Sequence, residues 1–128
     1  MSPQIKLYLV IGCLFLAFAV IFGAFGAHAL RQHVPEQAIS TWQTAVLYQF
    51  MHGFGLLIIG VLLLRFPELT GLKVAGVLFI VGILFFSGSL YGLVLTNWRW
   101  LGPITPLGGL CFIAGWVSMA WGLFRLPA

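Results

Sequence analysis

Charge is what this sequence lacks most. Only 6% of its 128 residues are charged, the acidic residues are Glu36 and Glu68 alone, and aspartate does not occur. A soluble domain carries about a quarter charged residues. Hydrophobic residues make up 62% of the chain and the mean hydropathy is +1.12. Water cannot solvate such a composition, and one small core cannot hide so many large apolar side chains. The chain is therefore expected to lie almost wholly in a membrane, as a single membrane domain over 1–128.

Other absences narrow the chemistry. Cysteine is scarce: Cys13 and Cys111 both lie inside apolar runs and form no Cys-x-x-Cys pair, which excludes a cysteine metal cluster and leaves them as small packing residues. No Asp, Glu, Lys or Arg falls deep in an apolar run, and no nucleophile–base–acid set appears, so neither catalytic residues nor a metal site are expected. The stretch "PITPLGG", 103–109, lacks the basic residue and spacing of a phosphate loop. Its prolines read instead as a stiff start to a helix, with Thr105 as a cap. The net charge of +4 does not point to nucleic acid: Lys6, Arg31, Arg65, Lys73, Arg99 and Arg125 are scattered, each at the edge of an apolar run, where basic side chains anchor helices at lipid headgroups.

What is present in quantity is long apolar runs. A membrane helix needs roughly 20 apolar residues, and four runs qualify, at about 7–29, 44–64, 72–95 and 104–124. Pro35, Pro67, Gly71, Asn97, Gly102 and Pro103 punctuate the breaks. The runs do not alternate polar and apolar residues as barrel strands would, so the predicted fold is an all-α bundle of four transmembrane helices. Lys6 and "AHA" at 27–29 mimic a secretory signal, but the apolar stretch is longer than a signal's and its small residues sit at helix-packing spacing. Between the first two runs, "RQHVPEQAISTWQ" (31–43) places Ala38, Ile39, Trp42 and Val46 at helical spacing. This predicts a short amphipathic helix after Pro35 that runs into the second span and either lies on the membrane or caps the bundle.

Loop charge predicts direction. Lys6, Arg65, Lys73 and Arg125 share one side, Arg31 and Arg99 the other, which favours both termini in the cytoplasm. Trp42, Trp98 and Trp100 then form an outer aromatic belt; Tyr8, Phe66, Trp121 and Phe124 form an inner one.

Small residues mark the expected seams. Gly108, Cys111, Gly115, Ser118 and Gly122 make one stripe of the fourth run, while Phe112, Trp116, Met119 and Leu123 make a bulky stripe expected to face lipid. The first run repeats the pattern with Gly12, Ala19, Gly23 and Gly26, and Ala17 with Ala24 suggests a second neighbour. Gly88 and Gly92 add a GxxxG spacing in the third. Lipid gives no hydrophobic drive for helix association, so close backbone approach must supply the contact energy. The same stripes would serve a homo-oligomer or contact with another membrane protein. A faint echo between 11–22 and 75–86 suggests a duplicated hairpin.

Polar groups inside lipid are costly and so are functional candidates. They are Gln49 and His52 in the second run, Ser87, Ser89 and Tyr91 in the third, Thr105 opening the fourth, and His28 near the end of the first. At 1.5 Å per residue, His52 and Ser87 lie about 10–12 Å below the outer surface and Tyr91 about 6 Å below it, which suggests a site that opens outward. Four readings follow. The groups form a hydrogen-bonded network, His52 sharing bonds with Gln49, Tyr91 or Ser87. Alternatively they wall a lipid or small-molecule pocket. His28 and His52 could instead ligate haem in a haem- or quinone-binding redox component. The last reading is a small transporter or channel component, which needs polar groups at all depths and finds few in the inner half.

The stretches "GAFGAHAL" (23–30), "WQTAVLYQFMHGFGLL" (42–57), "FFSGSLYGLVLT" (85–96) and "LGPITPLGG" (101–109), followed by "GW" (115–116), resemble the YgdD-like family of small membrane proteins, which spans bacteria and includes a mitochondrial relative. The resemblance covers about residues 10–123. It implies a four-helix protein of the bacterial inner membrane, of uncharacterised function, with no assigned catalytic residues. The combined expectation is a non-enzymatic structural or accessory protein, or one that binds lipid or a small molecule, with membrane lipids as its first partners and no resident cofactor.

Overall fold

The computed structural model describes all residues 1–128. Four helices account for nearly the whole chain: α1 (Pro3–His28), α2 (Glu36–Arg65), α3 (Thr70–Thr96) and α4 (Ile104–Phe124). Short 3-10 turns at Leu30–Gln32 and Arg99–Leu101 bridge α1 to α2 and α3 to α4. Each helix, with its adjoining turn, is long and apolar enough to cross a membrane.

Local chemistry sets the ends. Ser2 accepts the Ile5 amide at 3.2 Å and Pro3 fills the first position of α1, where its missing N–H costs nothing. The helix therefore starts one turn before the apolar run. Asn97 closes α3 in the left-handed conformation, φ 58°, which asparagine adopts more readily than most residues. At 30 residues α2 is about 45 Å long, more than the roughly 30 Å hydrocarbon layer. Its first turns, the amphipathic segment expected after Pro35, are continuous with the span and cap the bundle. Ile39, Trp42 and Val46 bury themselves there with Leu30 of the first turn. Trp42 is thus no belt residue: it is 3% exposed and donates its indole N–H to the Phe22 carbonyl at 2.8 Å.

α1 packs on α2, α2 on α3 and α3 on α4. Side chains of α1 and α4 reach the central α2–α3 pair from its two flanks. The end that carries the chain termini and the α2–α3 turn is here the terminal end; the other is the loop end. Large apolar side chains such as Leu14, Phe18, Ile21, Leu84, Leu110, Ile113 and Val117 point outward, as expected when lipid is the solvent.

Glycine makes the seams close. A side chain at Gly108 would strike the Phe86 backbone, and one at Gly122 would meet the Gly71 Cα at 3.2 Å, so α3 and α4 touch main chain to main chain. Gly115 lies under the Phe79 ring. Between α1 and α2, Gly12 admits Leu57, Gly26 admits Trp42 and Gly23 admits Val46, with Ala19 fully buried among them.

Three packing expectations need correction. Phe112 does not face lipid: it is 3% exposed and fills a notch over Gly82, because the arc of α4 that meets α3 and α2 is wide enough to take residues 108, 112 and 115 together. Ala17 and Ala24 are exposed, since α1 leans on α2 and has no second close neighbour along that face. Gly88 meets nothing within 4 Å, so only Gly92 of the GxxxG pair has a contact, with Leu101.

Candidate functional site

Gln49 and His52 lie one turn apart on α2, yet they point to different flanks. Three residues of helix leave their side chains about 60° apart, and this divergence puts Gln49 and His52 into two separate polar clusters. The expectation that His52 bonds with Gln49, Tyr91 or Ser87 is therefore corrected.

His52 faces α4. It is 2% exposed. Trp116 approaches with its indole nitrogen 3.0 Å from Nε2. An indole nitrogen can only donate, so Nε2 accepts, and the proton sits on Nδ1, which donates to the Tyr48 carbonyl at 2.9 Å. The imidazole lies flat on Phe112, centroids 3.5 Å apart and planes 10° apart, and takes the edge of Phe79 at 5.1 Å. Both ring nitrogens are engaged and both faces of the surroundings are aromatic. Trp116 itself is 41% exposed: the outer part of its ring meets lipid while its N–H points inward.

Gln49 faces the cleft between α1 and α3. Its Nε2 donates to the Phe15 carbonyl of α1 at 2.7 Å, and its Oε1 accepts the Tyr91 hydroxyl of α3 at 2.7 Å. Ser87 donates to the Ala45 carbonyl at 2.7 Å. The Tyr91 ring packs against Trp42 and Phe22, with centroids 4.6 and 5.0 Å away. These bonds clasp three helices together.

Ser89 and Thr105 form a third, smaller contact. Ser89 gives its only proton to the Phe86 carbonyl at 2.9 Å, so the Thr105 hydroxyl donates to Ser89, tying α3 to the start of α4. His28 ends α1 exposed at the loop end and joins none of these groups. The two histidines do not converge, His52 has no free nitrogen lone pair, and no group of three or more His, Cys, Asp or Glu gathers anywhere. This donor set does not fit a haem or metal pair.

Every buried side-chain polar atom has a partner. The open space lies beside the Gln49 cluster. A hollow of about 240 Å³ between α1 and α3 is walled by Phe15, Phe18, Phe22, Ile83 and Leu84, has Gln49, Ser87 and Tyr91 on its floor, and has Gly88 at its lip. A second hollow of about 480 Å³ continues the α1–α3 cleft toward the terminal end, between Gln4, Leu7 and Tyr8 on one side and Val77, Ile80 and Val81 on the other. The two hollows follow one another along the α1–α3 cleft, whose α1 side runs about 27 Å from residue 4 to residue 22; the first, the furrow beside the Gln49 cluster, is the more apolar in its walls.

Three participants carried no sequence signal as site residues. Trp116 sat in the bulky stripe, and only its register with Phe112 hinted at a shared partner. Tyr8 read as a belt residue; it is buried against Gly76 and donates to the Lys73 carbonyl at 2.6 Å. Ser118, read as a small seam residue, donates to the Gly71 carbonyl at 2.9 Å.

Comparison with known proteins gives one consistent result. A family model described as a protein of unknown function (DUF423) matches residues 22–109. A UPF0382 membrane protein of Staphylococcus haemolyticus is 47% identical over 122 residues, covering 94% of this chain and 97% of the relative. A UPF0382 membrane protein of Staphylococcus aureus is 46% identical over 122 residues with the same coverage, and the UPF0382 membrane protein YwdK of Bacillus subtilis is 39% identical over 114 residues, covering 89% of this chain and 93% of the relative. No solved structure matches.

Proposed function

Because the chain belongs to the DUF423 family of UPF0382 membrane proteins, and so acts within a bilayer, we propose that it is a non-enzymatic accessory protein that holds a lipid acyl chain in the furrow between α1 and α3. The furrow itself carries this reading. Its walls are aliphatic and aromatic, and the polar groups on its floor already bond to one another or to main-chain carbonyls. A guest therefore meets an apolar surface and needs no polar partner. The cleft opens sideways: Phe18, Leu84 and Gly88 at its edge are all exposed, so a chain can enter from the bilayer. Aromatic walls with few polar groups are the usual make-up of a site for apolar ligands.

We further propose that the protein sits in a bacterial inner membrane with both termini in the cytoplasm. The separation of Lys6, Arg65, Lys73 and Arg125 at the terminal end from Arg31 and Arg99 at the loop end supports this direction. The likeness of the four stretches quoted above to the YgdD-like family supports the same placement. Bilayer lipids are its partners in this reading.

Gly88 supplies the test, because a Cβ there meets no protein atom within 4 Å and the residue lines the furrow. The full chain, reconstituted with a phospholipid bearing a diazirine in its acyl chain, is irradiated and mapped. Labelling concentrated on Phe18 and Leu84, and lost in Gly88→Leu without a change in melting, supports the reading. Labelling spread evenly over the lipid-facing residues, or unchanged in Gly88→Leu, refutes it.

A further inference from the structure

A third hollow, of about 520 Å³, lies at the terminal end where α3 begins and α4 finishes. It shares no residue with the α1–α3 furrow. Glu68, Thr70 and Arg125 line it together with Ser118 and Trp121. Its depth follows from its neighbours. Trp121 and Phe124 are exposed and stacked, centroids 6.1 Å apart, and the Arg125 guanidinium lies 6.0 Å over the Trp121 ring. Exposed aromatics and a cation at the end of an apolar helix mark the headgroup level of a bilayer.

The charges on its wall are opposite and separate. Glu68 and Arg125 face one hollow, both exposed, yet no ion pair within 4.0 Å joins them. The guanidinium rests on the indole instead. A space held between an unpaired cation and an unpaired carboxylate, at headgroup level, complements a ligand that carries both charges itself. We propose that this hollow binds the phosphoethanolamine headgroup of a bilayer phospholipid. Its phosphodiester meets Arg125, whose planar fork suits phosphate oxygens. Its primary ammonium donates to the Glu68 carboxylate and the Thr70 hydroxyl in charge-assisted bonds. A phosphoglycerol headgroup satisfies Arg125 but offers Glu68 no cation, so the site discriminates between the two.

The full chain is reconstituted in vesicles of equal parts phosphatidylethanolamine and phosphatidylglycerol with identical acyl chains. It is then released into mild detergent, and its retained lipids are read by native mass spectrometry. All measurements are repeated in the Gly88→Leu background, so that lipid held in the furrow does not contribute and failure of either site is seen separately. The wild type retains the ethanolamine lipid in preference. Glu68→Gln lowers the ethanolamine-to-glycerol ratio about fivefold, and Arg125→Gln lowers retention of both lipids about fivefold. Both side chains are exposed, and circular dichroism verifies that each variant keeps its helices. A wild type without preference, a Glu68→Gln ratio equal to the wild type's, or unchanged retention in Arg125→Gln overturns the proposal.

Discussion

The two flanks of α2 use similar side chains to opposite ends. On the α4 flank, His52 is closed in by Phe112, Phe79 and Trp116, and glycine brings the α3 and α4 main chains into contact around it. On the α1 flank, Gln49 clasps three helices just as firmly, but α1 and α3 stay apart and leave a furrow. The polarity of the two centres does not differ much. What differs is the glycine pattern of the helices that cover them. α3 and α4 present Gly71, Gly82, Gly108, Gly115 and Gly122 to one another. Across the α1–α3 cleft only Gly76 is in close contact, under Tyr8, and Gly88 is left open. Where small residues face each other along the whole seam the bilayer is shut out; where they do not, it has access.

Breaking the sealed flank should have the largest effect. Gly108→Leu drives a side chain into the Phe86 backbone, which cannot move aside alone, and should cost about 3 kcal/mol or more in a reversible unfolding titration in mixed micelles. A cost below about 1 kcal/mol would mean that the α3–α4 seam is not main-chain tight. His52→Ala comes next. It removes a ring stacked at 3.5 Å and leaves the Trp116 N–H without its acceptor, so a loss of about 2 kcal/mol is expected, together with a shift of Trp116 fluorescence. His52→Phe should recover much of the stability and none of the indole hydrogen bond.

The open flank should give smaller numbers. Tyr91→Phe deletes one interhelical hydrogen bond but keeps the ring between Trp42 and Phe22, and the average for such bonds in membranes is about 0.6 kcal/mol. A loss several times that size would show the Gln49 clasp to be cooperative. Gly88→Leu should move stability least, by about 0.5 kcal/mol or less, while emptying the furrow of lipid. If it destabilised as strongly as Gly108→Leu, the contrast between the two flanks would not hold.

Much of this was legible in the residues. The number of spans, their breaks at Pro35, Pro67 and Asn97, and the small-residue stripe of α4 all follow from local pattern, because lipid admits no other backbone solution. The candidate polar residues were also legible, since so few occur. Their pairing was not. Phe112 and Trp116 read as lipid-facing because bulk and hydrophobicity look the same on a residue that plugs a notch and on one that meets an acyl chain. Trp42 read as a belt residue because its position at the edge of a run says nothing of whether a neighbouring helix covers it. Gly88 read as a seam because its spacing from Gly92 matches one, though a seam also needs a partner backbone opposite.

Composition and spacing alone determined that this chain is solvated by hydrocarbon, crosses it as four helices and closes its contacts through glycine, since each of these follows from the cost of an unpaired peptide group or a buried charge in lipid. Only the tertiary structure decided that Gln49 and His52 turn to opposite flanks, that Trp116 rather than Tyr91 meets the histidine, and that one cleft stays open. The reason is physical. A helix's rotation about its own axis is set by the sum of its contacts with all its neighbours, and no local stretch of sequence holds that sum.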